Sequence, residues 1–152
     1  MDEDHLECLV CRSNAGVQRI SPGPIIHEGQ HWLVEHAYPT SVRGWLVIVL
    51  RRHAEALHQL SSQEATQLGL LQRKVAQVRH AWLASLKEYA MCFGEGDGFS
   101  HLHVHLVPRA VDLDPELRGP RLLAGLQPGN AILPEEPVAA LCEELTLSFG
   151  AG

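Results

Sequence analysis

Apolar and polar positions change rhythm several times along the chain. IIHEGQHWLVEH, residues 25–36, places two short apolar runs around Glu28, Gly29 and Gln30, the pattern of a hairpin. GWLVIVLRRH, residues 44–53, is an unbroken apolar run with β-branched residues, which predicts a central strand. HAEALHQL reads as a short helical turn. Residues 61–89 then take up helical periodicity. Leu68, Leu71, Val75, Val78, Trp82 and Leu86 recur every three or four positions and form one stripe. Ser61 with Glu64 three positions on is a capping box that starts this helix. YAMCFGEG (89–96) and SHLHVHLVP (100–108) read as two further strands around a tight Asp97-Gly98-Phe99 turn. Residues 134–149 read as a closing helix with proline and acids in its first turn. Strands, a long helix, then strands predict an α+β fold: an antiparallel sheet of about five strands with one long helix between them.

Composition and charge narrow the class. The 152 residues are 45% hydrophobic and 20% charged, as expected of one globular domain with a real core. Residues 110–134, rich in proline and glycine, read as an irregular excursion. Residues 110–152 are taken as an extension, ending in a helix, that belongs to the same domain as residues 1–109. No apolar run is long enough for a membrane span, and the acidic start MDEDHLECLV lacks the basic opening of a signal peptide. A cytoplasmic protein with no membrane contact is expected. The net charge of −6 argues against a nucleic acid polymer as partner, because wrapping one needs a basic footprint. A small anion in a locally positive pocket is compatible with it.

Of ten histidines, three stand in alternation: His101, His103 and His105 in HLHVHLV. In a strand they share one face, and Leu102, Val104 and Leu106 the other. The apolar face can pack under the long helix, so the imidazoles look at a cleft, another polar layer or a metal. Two chemistries suit that arrangement. Histidines two apart can ligate one metal and make a metal-dependent hydrolase. Alternatively, one neutral imidazole is a nucleophile while its neighbours orient it and donate to the substrate. A binding module without catalysis is a third possibility. His27, His31, His58 and His80 read as surface residues. Cys92 and Cys142, in apolar surroundings, read as buried thiols.

HLHVHLV followed by Pro108-Arg109 resembles the signature of the histidine triad superfamily. GWLVIVLRRH resembles that family's apolar strand ending in a basic residue and His, and CLVC resembles the zinc half-site of its bacterial members. The similarity runs from Cys8 to Arg109. It implies a nucleotide hydrolase or nucleotidyl transferase. Such an enzyme acts at the α-phosphate of a small nucleotide conjugate, of the dinucleoside polyphosphate or nucleoside phosphoramidate type. His103 would attack phosphorus to form a nucleotidyl-histidine. His101 would orient it, and His105 would serve the phosphate oxygens. The resemblance also implies a homodimer with joined sheets, no organic cofactor, and a structural zinc held by Cys8, Cys11, His53 and His101.

Departures from the family pattern bear on the substrate. A Ser or Thr is expected three positions before His101, where this chain has Gly98; Ser100 follows two residues later. The family's Pro-Gly-His before the central strand is Arg43-Gly44-Trp45 here. His36, Trp45, Ser100 and Arg109 are the candidate substrate contacts.

Overall fold

A computed structural model of the chain describes residues 7–125 and 131–151. The acidic start and residues 126–130 of the excursion lie outside the described residues. Five antiparallel strands form one sheet in the order β1-β2-β3-β5-β4. They are β1 (His27–Glu28), β2 (Trp32–His36), β3 (Leu46–Leu50), β4 (Lys87–Met91) and β5 (His103–Arg109). The fold is α+β, as the alternation of elements predicts, and the apolar run 44–53 supplies the central strand.

Three of the helices shape the site and its support. Helix α1 (Leu9–Asn14) opens the described chain, α2 (Ser62–Leu83) connects β3 to β4, and α4 (Glu135–Gly150) closes it. A four-residue α3 (Leu122–Gly125) and short 3-10 turns lie between β5 and α4. Helix α2 begins at the expected capping box: Ser61 Oγ accepts from the Glu64 N–H at 3.2 Å, and the Glu64 carboxylate accepts from the Ser61 N–H at 2.8 Å. It ends earlier than the periodicity predicts. Ala84 adopts φ 50°, a left-handed cap, and Leu86 lies beyond it, 54% exposed.

The two sheet faces do different work. One carries Trp32, Val34, Leu46, Ile48, Leu50, Val104 and Leu106 into a core with Leu68 and Val75 of α2 and Val138, Leu141, Leu145 and Phe149 of α4. Each such aliphatic side chain, fully buried, stabilises by about 1.5–3 kcal/mol. Arg79 of α2 is wholly buried. It pairs with Glu88 of β4 and donates to the carbonyls of Gly44 and Leu106, which clamps the helix to β4, to β5 and to the turn that enters β3. The opposite face carries Leu33, Val47 and Val49 beneath α1, and on this face the register sets His103 opposite Val49 and His105 opposite Val47.

Four local expectations are corrected. The fourth strand spans Lys87–Met91 rather than 89–96, and Cys92 beyond it is exposed. The fifth starts at His103 rather than 100, so His101 sits just before it. His27 and His31 are half-buried, whereas His58 and His80 are exposed. Cys142 is buried as expected. Among the described residues no helix is long and apolar enough to cross a membrane.

Candidate functional site

The three alternating histidines do not act as equals. His101 is fully buried and turns toward the N-terminus. Its Nε2 donates to the Leu50 carbonyl at 2.6 Å, so in the neutral ring Nδ1 is bare. That Nδ1 lies 3.3 Å from Cys11 Sγ and 3.7 Å from Cys8 Sγ. His53, beyond the end of β3, brings its Nδ1 to 3.3 Å from Cys11 Sγ. The four ligand atoms of Cys8, Cys11, His53 and His101 all lie within 4.8 Å of one another. A tetrahedral zinc with Zn–S near 2.3 Å and Zn–N near 2.0 Å sets sulfur–nitrogen edges of about 3.5 Å. The three sulfur–nitrogen separations given above match that figure.

The surroundings suit a metal as well. Ligating histidines normally donate their other ring nitrogen to a carbonyl or carboxylate. Here His101 Nε2 has the Leu50 carbonyl, and His53 Nε2 lies 3.3 Å from Glu55 Oε1. Without a cation, burial and then the neighbouring Cys8 push the Cys11 thiol up to about 12. A divalent ion would reverse that preference by favouring the thiolate. The Cys-x-x-Cys spacing is set by α1, where Cys8 caps the helix and its Sγ accepts from the Cys11 N–H at 3.3 Å.

His103 and His105 line a separate cleft with Glu35, His36, Val47, Val49 and Phe99. Their rings meet edge to face at 4.8 Å. His103 Nδ1 donates to the His101 carbonyl at 2.6 Å, which leaves Nε2 bare in the neutral ring. His105 Nδ1 lies 3.2 Å from the Trp45 indole nitrogen. Burial, then the charge of His103, holds His105 down to about 4. The cleft thus contains one imidazole with a bare nitrogen and another that stays neutral through the physiological range. Among the described residues, the only cluster of three or more His, Cys, Asp or Glu suited to a metal is the Cys8–Cys11–His53–His101 group. The triad itself forms no such cluster.

The structure distributes the other candidates unevenly. His36 lines the cleft, but both its nitrogens are engaged. Nδ1 donates to the Ala37 carbonyl at 2.7 Å and Nε2 accepts from the Gly44 N–H at 3.0 Å. It therefore offers the cleft only its ring surface, and burial lowers its pKa. The Ser100 hydroxyl donates to Glu55 at 2.8 Å and lines a different hollow, beside Cys8 and His53. Arg109 is buried at the far end of β5 opposite Lys87, roughly 20 Å along the strand from His103 at ~3.3 Å per residue. It does not line the cleft.

Neither Glu55 nor Glu35 is among the sequence candidates. Glu55 stands beside the Cys8–Cys11–His53–His101 cluster, and its place two positions after His53 was the available signal. Glu35 lines the cleft 5% exposed, paired with Arg19 at 2.9 Å; only strand register reveals it. The missing Ser or Thr has a backbone explanation. Gly98 has φ +75°, and a Cβ there would lie 3.0 Å from the Leu9 side chain.

No protein-family model matches the sequence, and no curated protein matches it either. Solved structures do match in shape. A zinc-bound histidine triad family protein from Mycobacterium smegmatis superposes with a TM-score of 0.68 at 16% identity, over 97% of this chain and 98% of that one. A Hit-like protein from Bartonella henselae, described as involved in cell-cycle regulation, gives 0.70 at 13%, over 92% and 94%. The diadenosine triphosphate hydrolase of Plasmodium falciparum gives 0.58 at 13%, over 84% and 74%. The chain has the histidine triad fold.

Proposed function

We propose that this chain is a histidine triad enzyme, a nucleotide hydrolase or nucleotidyl transferase with His103 as nucleophile. The observation that carries the reading is the hydrogen bond from His103 Nδ1 to the His101 carbonyl at 2.6 Å, which leaves the second nitrogen bare in the cleft. The substrate is a small nucleotide conjugate, either a dinucleoside polyphosphate or a nucleoside phosphoramidate. The Plasmodium structural neighbour acts on a compound of the first type.

In the first step the His103 Nε2 lone pair attacks the α-phosphorus. A P–N bond forms, and the bond to the leaving group breaks with its electron pair; a phosphate leaves as the anion, and an amine takes up a proton from solvent. In the second step water, or another acceptor, attacks the same phosphorus. The P–N bond breaks, His103 regains its lone pair, and the attacking water releases one proton to solvent. Dividing the displacement in this way lowers each barrier, and His105 stabilises the charge on the phosphate oxygens. Cys8, Cys11, His53 and His101 would hold a zinc whose chemistry is structural, since four protein ligands close its coordination. A cytoplasmic homodimer joined through its sheets completes the reading.

The test is mass spectrometry of protein quenched during turnover of a dinucleoside polyphosphate or a nucleoside phosphoramidate. A nucleotidyl adduct on His103, absent from His103→Ala, is the expected result. An unmutated protein that binds nucleotide yet turns over neither type of conjugate would be a binding module, and the enzyme reading would fail.

A further inference from the structure

What an imidazole does depends on which of its nitrogens carries the proton. The structure supplies that information for His105. An indole nitrogen only donates, and Trp45 Nε1 donates to His105 Nδ1 at 3.2 Å, with ring centroids 5.3 Å apart and planes at 59°. Nδ1 must be bare to accept. A ring bare at Nδ1 is neutral and carries its proton on Nε2. We propose that Trp45 is a positioning residue that locks His105 in the Nε2–H tautomer, so that His105 meets the substrate only as a hydrogen-bond donor.

The position of Trp45 is set by the backbone. Gly44 before it has φ +85°, and a Cβ there would lie 2.5 Å from Leu83, so no other residue fits without strain. The Gly44 N–H donates to His36 Nε2 at 3.0 Å, and its carbonyl accepts from buried Arg79. The Trp45 carbonyl accepts from the Ala37 N–H at 2.9 Å. Val47, two residues on and on the same face, is opposite His105 in the sheet register. The backbone that carries the indole is therefore held on both sides of Trp45.

The consequence is a division of labour between two identical side chains. A backbone carbonyl, which only accepts, takes the Nδ1 proton of His103 and leaves its Nε2 bare. An indole, which only donates, keeps Nδ1 of His105 bare and leaves its Nε2 protonated. Partners of opposite polarity thus make one ring an acceptor and its neighbour a donor. The functional consequence rests on the proposed phosphoryl chemistry; the tautomer does not.

Long-range nitrogen–proton correlation spectra of the full-length 15N-labelled protein at neutral pH test this directly. The expected spectrum shows His105 with a protonated Nε2 and a bare Nδ1. Trp45→Phe, which keeps an aromatic ring and removes the donor, is expected to move both nitrogen signals toward an averaged pair. It should also lower kcat roughly ten-fold, about the worth of one hydrogen bond. A proton on Nδ1 of His105 in the unmutated protein would overturn the proposal, as would nitrogen signals that ignore Trp45→Phe. If that variant fails to fold, the spectrum of the unmutated protein decides alone. If the tautomer is as expected and no nucleotide conjugate is turned over, the reaction fails and the role of Trp45 in setting the tautomer stands.

Discussion

His105 ties the site to the stability of the protein. The unfolded chain protonates this imidazole near 6.5, while the folded chain resists until about 4 because the ring is buried and faces His103. Between those values the unfolded state binds more protons, so stability falls as the pH drops through that window and is complete above it. The full loss is of the order of 3 kcal/mol. His36, also lowered by burial, adds in the same direction. Urea denaturation at pH 4.5 and pH 7 should show a smaller difference for His105→Asn than for the unmutated protein, with a residual slope from His36. Gly98 gives a second residue-level outcome. Gly98→Ser restores the hydroxyl expected by the resemblance, yet it places a side chain in the left-handed region against Leu9. A loss of about 1–2 kcal/mol in a denaturant melt is expected, a larger effect than a serine on an ordinary exposed turn would have.

At the scale of elements, α2 depends on how it starts. Ser61→Ala should cost about 1 kcal/mol through loss of the N-cap. Glu64→Ala should cost more. It removes the other half of the capping box and leaves Arg52, whose Nε is 2.7 Å from the Glu64 carboxylate, without that pairing. Thermal melts of the two variants give the order.

The capping box was legible because it is local chemistry at fixed spacing, and the central strand because an apolar run needs no partner to be recognised. The end of α2 was not. Ala84 carries no glycine signal for a left-handed cap, and the turn is fixed instead by Lys87 pairing with Arg109 across the sheet. The bounds of strand β4 were misplaced for a related reason. It is an edge strand with exposed Lys87 and Ala90, so it lacks the apolar alternation of its neighbours. In the site, alternation revealed the histidines, and spacing with the family resemblance revealed the metal cluster. The Trp45–His105 contact could not be read, because residues 60 apart meet only once β3 and β5 are in register.

At the scale of the whole molecule, the Cys8–Cys11–His53–His101 cluster joins α1 to the end of β3 and the approach to β5. Elemental analysis should find one zinc per chain. Chelation should lower the melting temperature of the unmutated protein, and Cys11→Ser should start near the lowered value and respond little to chelator. The chain has a mass of 16.8 kDa, so light scattering at twice that value would support the sheet-joined homodimer, and a single-chain mass would count against it.

The same cluster has a consequence for the order of folding events. Its contacts span 42 residues from Cys11 to His53 and 90 from Cys11 to His101. Loops of that length close at an entropic cost before any ligand bond can offset it. All four donors are therefore expected to come together only after β3 and β5 have paired. A cation held there adds its stabilisation after the rate-limiting ascent, so it should slow unfolding and leave the folding rate nearly unchanged. The N-terminal turn bearing Cys8 and Cys11 would then act as a latch, and unfolding rates of the metal-loaded and metal-stripped protein check it.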